Sequence, residues 1–325
     1  MKVTTETSVK TLGDCAYKAI EKFFLKTIKW EKAVKKDEDP EALHQMRIGM
    51  RRLRTAVSRF SVAVSLPKSA NDKSIGKIAK TLGNLRDLDV LKADLETNYQ
   101  SQLLEKEQIS LNTAFSTLCK QREIALDDVL KTLKSNAYKS FKSSIEEWLE
   151  KPNYKPLAFL PIQQVSADLL LPEISYLLLH PAWLVGTQIV NDQITISNDL
   201  TSQKLEEYLN NEGENLHDLR KQAKRVRYQM DLFTQLYGED FSAHIMEVKS
   251  IQEILGNLQD SIVLYEWLAN IFKSETQAKF KGLTNLLAEN RWQIWQQWQP
   301  IQKKYLKTET KQRFHLIILN PHVED

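Results

Sequence analysis

Leu43-His44-Gln45-Met46-Arg47-Ile48-Gly49-Met50-Arg51-Arg52-Leu53-Arg54 is the stretch on which the reading of this chain turns. It recurs as Leu216-His217-Asp218-Leu219-Arg220-Lys221-Gln222-Ala223-Lys224-Arg225-Val226-Arg227. Each copy is followed by a second motif, Leu82-Gly83-Asn84-Leu85-Arg86-Asp87 and then Leu255-Gly256-Asn257-Leu258-Gln259-Asp260. The offsets agree, 217 − 44 = 173 and 260 − 87 = 173. Two motifs sharing one offset point to an internal duplication, and what is duplicated is a row of cations.

On a helical wheel His44, Arg47, Arg51 and Arg54 fall at i, i+3, i+7 and i+10, in one stripe that Ser58 continues. Leu43, Met46, Met50, Leu53, Val57 and Phe60 form an adjacent apolar stripe, and Arg52 stands apart from both. The second copy repeats this. His217, Arg220, Lys224 and Arg227 share one face, Leu216, Leu219, Ala223, Val226, Met230 and Phe233 share another, and Arg225 takes the place of Arg52. Like charges at these spacings repel by a few tenths of a kcal/mol per pair. The first stripe holds no carboxylate of its own. Its partner must come from a neighbouring helix or from an external anion. Arginine suits phosphate because its planar fork donates two hydrogen bonds and stays charged.

A basic run by itself is most often a solvated face; recurrence of type, order and spacing in both copies argues against that here. Asp87 and Asp260 are expected to pair with the off-stripe Arg52 and Arg225. The histidines fit core, capping or donor roles, and no second His, Cys or carboxylate stands at i+4 to complete a metal set. Gly83 and Gly256 read as sites of close helix approach rather than as a phosphate loop. Lys77 and Lys80 extend the basic surface, with Lys221 and Lys249 as further candidates; Ser250 and Glu253 at the places of Lys77 and Lys80 do not keep the charge.

Nine glycines and nine prolines in 325 residues favour long helices. The net charge is only +3, so a polyanion site requires charge segregated onto one surface. Cys15 and Cys119 make no disulfide framework, which favours a reducing compartment. Met1–Thr7 lacks the pattern of a signal peptide, and no apolar run approaches the ~20 residues that span a bilayer. The expected location is the cytoplasm.

Helices are expected over 8–36, from Asp39-Pro40-Glu41 to about Val64, from Asn71 through the second motif, and on to Glu150 with an interruption near Asn136. Residues 151–178 read as a connection and 190–200 as a loop. Helices follow at 201–237, with a break near Gly213, 240–272 and 275–308. Trp292, Trp295 and Trp298 read as core, and Arg313–Leu319 as strand-like or simply packed. The expected class is all-α: two four-helix bundles from an internal duplication, the N-terminal half at 5–150, the linker at 151–178 and the C-terminal half at 179–320.

The pattern His-x-x-Arg-x-x-x-Arg-Arg-x-Arg, present twice and each time followed by Leu-Gly-x-Leu-x-Asp, resembles the CHAD (conserved histidine α-helical domain) family over residues 5–320. The resemblance implies one such domain of two bundles related by pseudo-twofold symmetry. Their basic helices line a central positively charged cavity or channel that binds inorganic polyphosphate, and such proteins associate with polyphosphate bodies. Carried over, the binding residues are His44, Arg47, Arg51, Arg52, Arg54, His217, Arg220, Lys224, Arg225 and Arg227. Lys224 departs from the pattern and loses bidentate geometry. The Glu-x-Glu-x-Lys signature of the phosphohydrolase domain fused to some relatives is absent. The expectation is a binding protein, not an enzyme, with neither cofactor nor metal. Alternatives are a phosphate-chain hydrolase, which needs clustered carboxylates, and a nucleic-acid binder, for which aromatics interleaved with the basic stripe are lacking. A weaker one is a scaffold for an acidic protein partner.

Overall fold

The computed structural model describes residues 10–191, 193–196 and 200–321. The reading of Met1–Thr7 as free of a leader lies outside them. Twelve α-helices and one β-hairpin make up the described chain: α1 Leu12–Lys29, α2 Glu31–Lys36, α3 Pro40–Arg59, α4 Asp72–Asp94, α5 Glu105–Lys134, α6 Asn136–Glu150, α7 Ile162–Leu178, the strands β1 Thr187–Val190 and β2 Gln193–Ile196, α8 Ser202–Met230, α9 Glu239–Phe272, α10 Thr276–Lys279, α11 Lys281–Tyr305 and α12 Thr308–Leu319. The class is all-α. The chain divides into two compact units, Met1–Val90 with Leu118–Leu169, and Leu91–Thr117 with Leu170–Asp325.

In the first unit local chemistry sets the helix ends. The Thr11 hydroxyl accepts from the Asp14 N–H and the Asp14 carboxylate from the Thr11 N–H, a capping box that starts α1. Asp37, in the left-handed conformation at φ 54°, closes α2. Asp39 then caps α3 and Pro40 occupies its first position, where a missing N–H costs nothing. α3 buries Leu43, Met46, Met50, Leu53 and Val57 along one side. It presses Gly49 onto α1, where an added Cβ would lie 2.7 Å from Thr27 Oγ1 and 3.0 Å from the Thr27 nitrogen. Gly49→Ala is therefore expected to cost about 1–3 kcal/mol, read as a lowered urea midpoint; an unchanged midpoint would mean that the α1–α3 contact is loose.

α3 gives way to a 3-10 turn at Phe60–Val62, and Ser135 separates α5 from α6 by capping the latter through the Tyr138 N–H. Arg122 of α5 clamps the unit. It donates to Asp89 of α4 at 2.7 Å and to both oxygens of Asp37 at 2.7 and 2.8 Å.

In the second unit, Trp183 stacks on Trp298 and Tyr305 with centroids 5.1 and 4.9 Å apart. The buried Gln302 amide donates to the carbonyls of Trp183 and Val185 at 2.9 and 2.7 Å. Trp295 is buried too, so two of the three spaced tryptophans are core. The Glu107 carboxylate accepts from the Gly282 and Leu283 N–H groups at the start of α11. Arg291 of α11 donates to both oxygens of Glu206 on α8 at 2.8 and 2.7 Å and to Ser261 of α9 at 3.0 Å.

Four local expectations are corrected. Residues 151–178 contain α7, a full helix that carries Pro172 inside it. The 190–200 loop begins as the β1–β2 hairpin, paired from Thr187↔Ile196 to Val190↔Gln193; residues 192 and 197–199 lie outside the described chain. α8 passes through Gly213 without a break, at the ~1 kcal/mol cost of a mid-helix glycine. Of the two readings of Arg313–Leu319 the strand-like one falls: the segment is helical and packed, Phe314 and Ile318 burying together at a spacing of four, not two.

Candidate functional site

Burial of the apolar row of α3 leaves the cation stripe on its flank toward α4. Arg47 lies across Gly83, where an ideal Cβ would sit 3.4 Å from its Nε, and its Nη2 donates to Asp87 Oδ1 at 3.0 Å. Arg54 lies over Gly76 and pairs with both oxygens of Asp72 at 2.8 and 3.1 Å. α3 and α4 thus run antiparallel, Arg47 against Gly83 and Arg54 against Gly76. Arg51 falls between those two arginines, and among the described residues no carboxylate pairs with it. Lys80, exposed, stands one turn from each glycine and so beside Arg51. Lys77 borders a cleft of about 530 Å³ on α4 lined by Ser69, Ser74, Thr81 and Ser135.

His44 is half-buried, and its pKa is lowered by that burial first, then by Arg86, with Arg47 and Lys26 adding to the effect and Glu41 opposing it. Three cations from three helices therefore bear on one imidazole.

In the second unit Arg220 lies across Gly256, 3.4 Å from an ideal Cβ, with Nη2 3.6 Å from Asp260. Arg227 donates to the neutral Gln252 Oε1 at 3.0 Å and lies 4.4 Å from the Tyr228 ring centroid. Lys224, half-buried, sits between them on the same stripe. Lys221 pairs with Asp218 one turn away, and Lys249 lies 3.5 Å from Glu253. His217 has a lowered pKa, from burial first and then from Lys221 and Arg220; Asp218 and a hydrogen bond with Gln259 pull the other way.

Two readings change. Asp87 and Asp260 pair with Arg47 and Arg220, not with Arg52 and Arg225. The off-stripe residues turn to the opposite flank: the Arg52 guanidinium stands 5.7 Å from the Phe23 ring of α1, and Arg225 lies 3.7 Å from Glu173 of α7. The glycines of the second motif clear room for a guanidinium, a role their small size signalled only as close approach. Of the two sources of counter-charge, the neighbouring helices supply part, since Arg47, Arg54 and Arg220 each meet a carboxylate. Those carboxylates are open to solvent, the Asp87 and Asp72 side chains 68% and 44% exposed, and such pairs are worth about 0–1 kcal/mol. Arg86 and Lys26 escaped the sequence reading. Arg86 was visible inside the second motif, but its counterpart Gln259 breaks the repeat.

Among the described residues no helix is long and apolar enough to cross a membrane, and no three His, Cys, Asp or Glu side chains group as metal ligands would. No curated protein matches the chain. Among the solved structures that resemble it are two with a TM-score of 0.61 each. The CHAD domain from the plant Ricinus communis is 20% identical, with 98% of this chain and 94% of that one covered. PptA from Streptomyces chartreusis is 15% identical, with 91% and 100% covered. At such identities the likeness is one of fold. The CHAD domain family model matches residues 18–269, a span that takes in both basic helices and both glycine-bearing partners, and the chain belongs to that family.

Proposed function

We propose that this protein binds inorganic polyphosphate without catalysis, through the basic ridges of α3 and α8, and that it associates with polyphosphate granules in the cytoplasm. In this reading residues 5–320 form one domain of two pseudo-symmetric four-helix bundles that arose by duplication and line a central basic cavity or channel. The two clamps support a duplication independently of the basic motif: Asp37–Arg122 and Glu206–Arg291 share an offset of their own, 206 − 37 = 169 and 291 − 122 = 169.

The observation that carries the proposal is Arg51. It sits in the middle of a row of arginines, and its neighbours Arg47 and Arg54 are held in place by weak, exposed ion pairs that a polyanion can displace. Cations spaced about 4.5–6 Å along a helix can follow linked phosphates. Neutralising them releases counterions, so affinity is expected to fall log-linearly with salt and to rise with chain length. A titration with length-defined polyphosphate at several salt concentrations tests this; affinity indifferent to both would defeat it. Incubation with polyphosphate and Mg²⁺ is expected to release no phosphate, and DNA is expected to compete poorly at fixed salt.

The histidines add a pH signature. Burial and neighbouring cations hold both below the usual histidine range in the free protein, whereas a bound polyanion favours the protonated form. Binding then takes up protons and is expected to tighten as pH falls toward 6. A flat profile from pH 8 to 6 would remove the histidines from the site.

A further inference from the structure

The two ridges carry the same motif but differ in the cations that flank them. Around the first, Lys80 lies beside Arg51, Arg86 of α4 and Lys26 of α1 act on His44, and Lys22 lies one turn along α1 from Lys26. None of these four has a carboxylate partner among the described residues, and the Arg86 Nε is buried with no hydrogen-bond acceptor.

Around the second ridge two of the matching places carry no cation, although Arg227 there meets only the neutral Gln252. Glu253 stands at the place of Lys80 (80 + 173 = 253) and Gln259 at that of Arg86 (86 + 173 = 259). Glu253 already engages Lys249, Asp218 engages Lys221, and Glu173 of α7 faces Arg225. The cation at the centre is a lysine there and an arginine in the first ridge. Arginine can present two parallel donors to one phosphate, and lysine cannot.

We infer that the ridges are unequal and that the first unit alone carries the high-affinity site for the phosphate chain, widened beyond its arginine row by Lys80 and Arg86 of α4 and by Lys22 and Lys26 of α1. This rests on the polyphosphate reading above. The chain crosses α3 from the α4 side to the α1 side instead of only following its axis. The second ridge adds weak contacts that count only for long chains.

Exchanging the differing residues tests the inequality in the full-length chain. Lys80→Glu, at an exposed position, is expected to weaken binding of length-defined polyphosphate about tenfold and to lower the salt slope by about one. Lys80→Glu/Arg86→Gln is expected to weaken it further. The reverse exchange, Glu253→Lys/Gln259→Arg, is expected to strengthen binding and steepen the slope. Lys224→Ala/Arg227→Ala is expected to weaken binding by at least tenfold less than Arg51→Ala/Arg54→Ala does, and chiefly for long chains, circular dichroism being unchanged throughout. If Lys80→Glu binds like wild type while Lys224→Ala/Arg227→Ala loses binding, the inequality is overturned and the polyphosphate reading survives. If wild type itself binds no polyphosphate, both fall.

Discussion

Replacing Arg51 and Arg54 by alanine is expected to weaken polyphosphate binding by about a hundredfold or more, because each charge-assisted contact contributes roughly 1.5–3 kcal/mol. The two substitutions act differently. Arg51→Ala removes a cation that no carboxylate among the described residues opposes. Arg54→Ala removes a cation and also frees the Asp72 carboxylate it held at 2.8 Å, which places a negative charge beside the ligand. Adding Arg227→Ala is expected to deepen the loss chiefly for long chains, for which the contacts of the second ridge count, and it frees no carboxylate because its protein partner is the neutral Gln252. Both side chains of the pair are partly exposed, so the helical signal in circular dichroism should stay unchanged. Retained affinity in the triple variant would show that the ridges do not hold the ligand.

Arg122→Ala is expected to cost about 3–5 kcal/mol of stability. The reason lies in what is left behind. The Asp89 side chain is 7% exposed, and its Oδ1 takes its hydrogen bond from Arg122 while Oδ2 has no partner. Burial without a counter-charge is then the price of the truncation. The Arg122 guanidinium has its pKa raised above all by the hydrogen bonds it donates to Asp37, with Asp89 adding to it, and so stays charged at any working pH. Asp89→Asn in the Arg122→Ala background is expected to recover part of the loss, because it removes the stranded charge. Urea unfolding of the single and double variants reads this out; equal midpoints for Arg122→Ala and wild type would mean that the clamp is ornamental.

The basic helices were legible because a helix of 3.6 residues per turn sorts its own side chains. Nothing beyond Leu43–Arg54 is needed to see that Arg47, Arg51 and Arg54 share a flank and that Met46, Met50 and Leu53 must be buried. The same holds for the α3 start, where Asp39 and Pro40 are local signals. The β1–β2 hairpin escaped the reading because Asn, Asp, Ser and Thr crowd residues 190–200 and mark a loop by composition, and the helical form of Arg313–Leu319 because so short an apolar run carries no periodicity that chooses between a strand and a helix.

Sequence periodicity alone thus settled which residues are cations on one side of which helix, and that this happens twice. Tertiary structure alone decided which carboxylates meet them: Asp87 reaches Arg47 and not Arg52 because α4 lies along the opposite flank of α3 from α1. A helical wheel gives angles within one helix, but the angle at which a second helix packs depends on every side chain between them, so an Arg51 that no carboxylate among the described residues meets, and the uneven surroundings of the two ridges, emerge only in three dimensions.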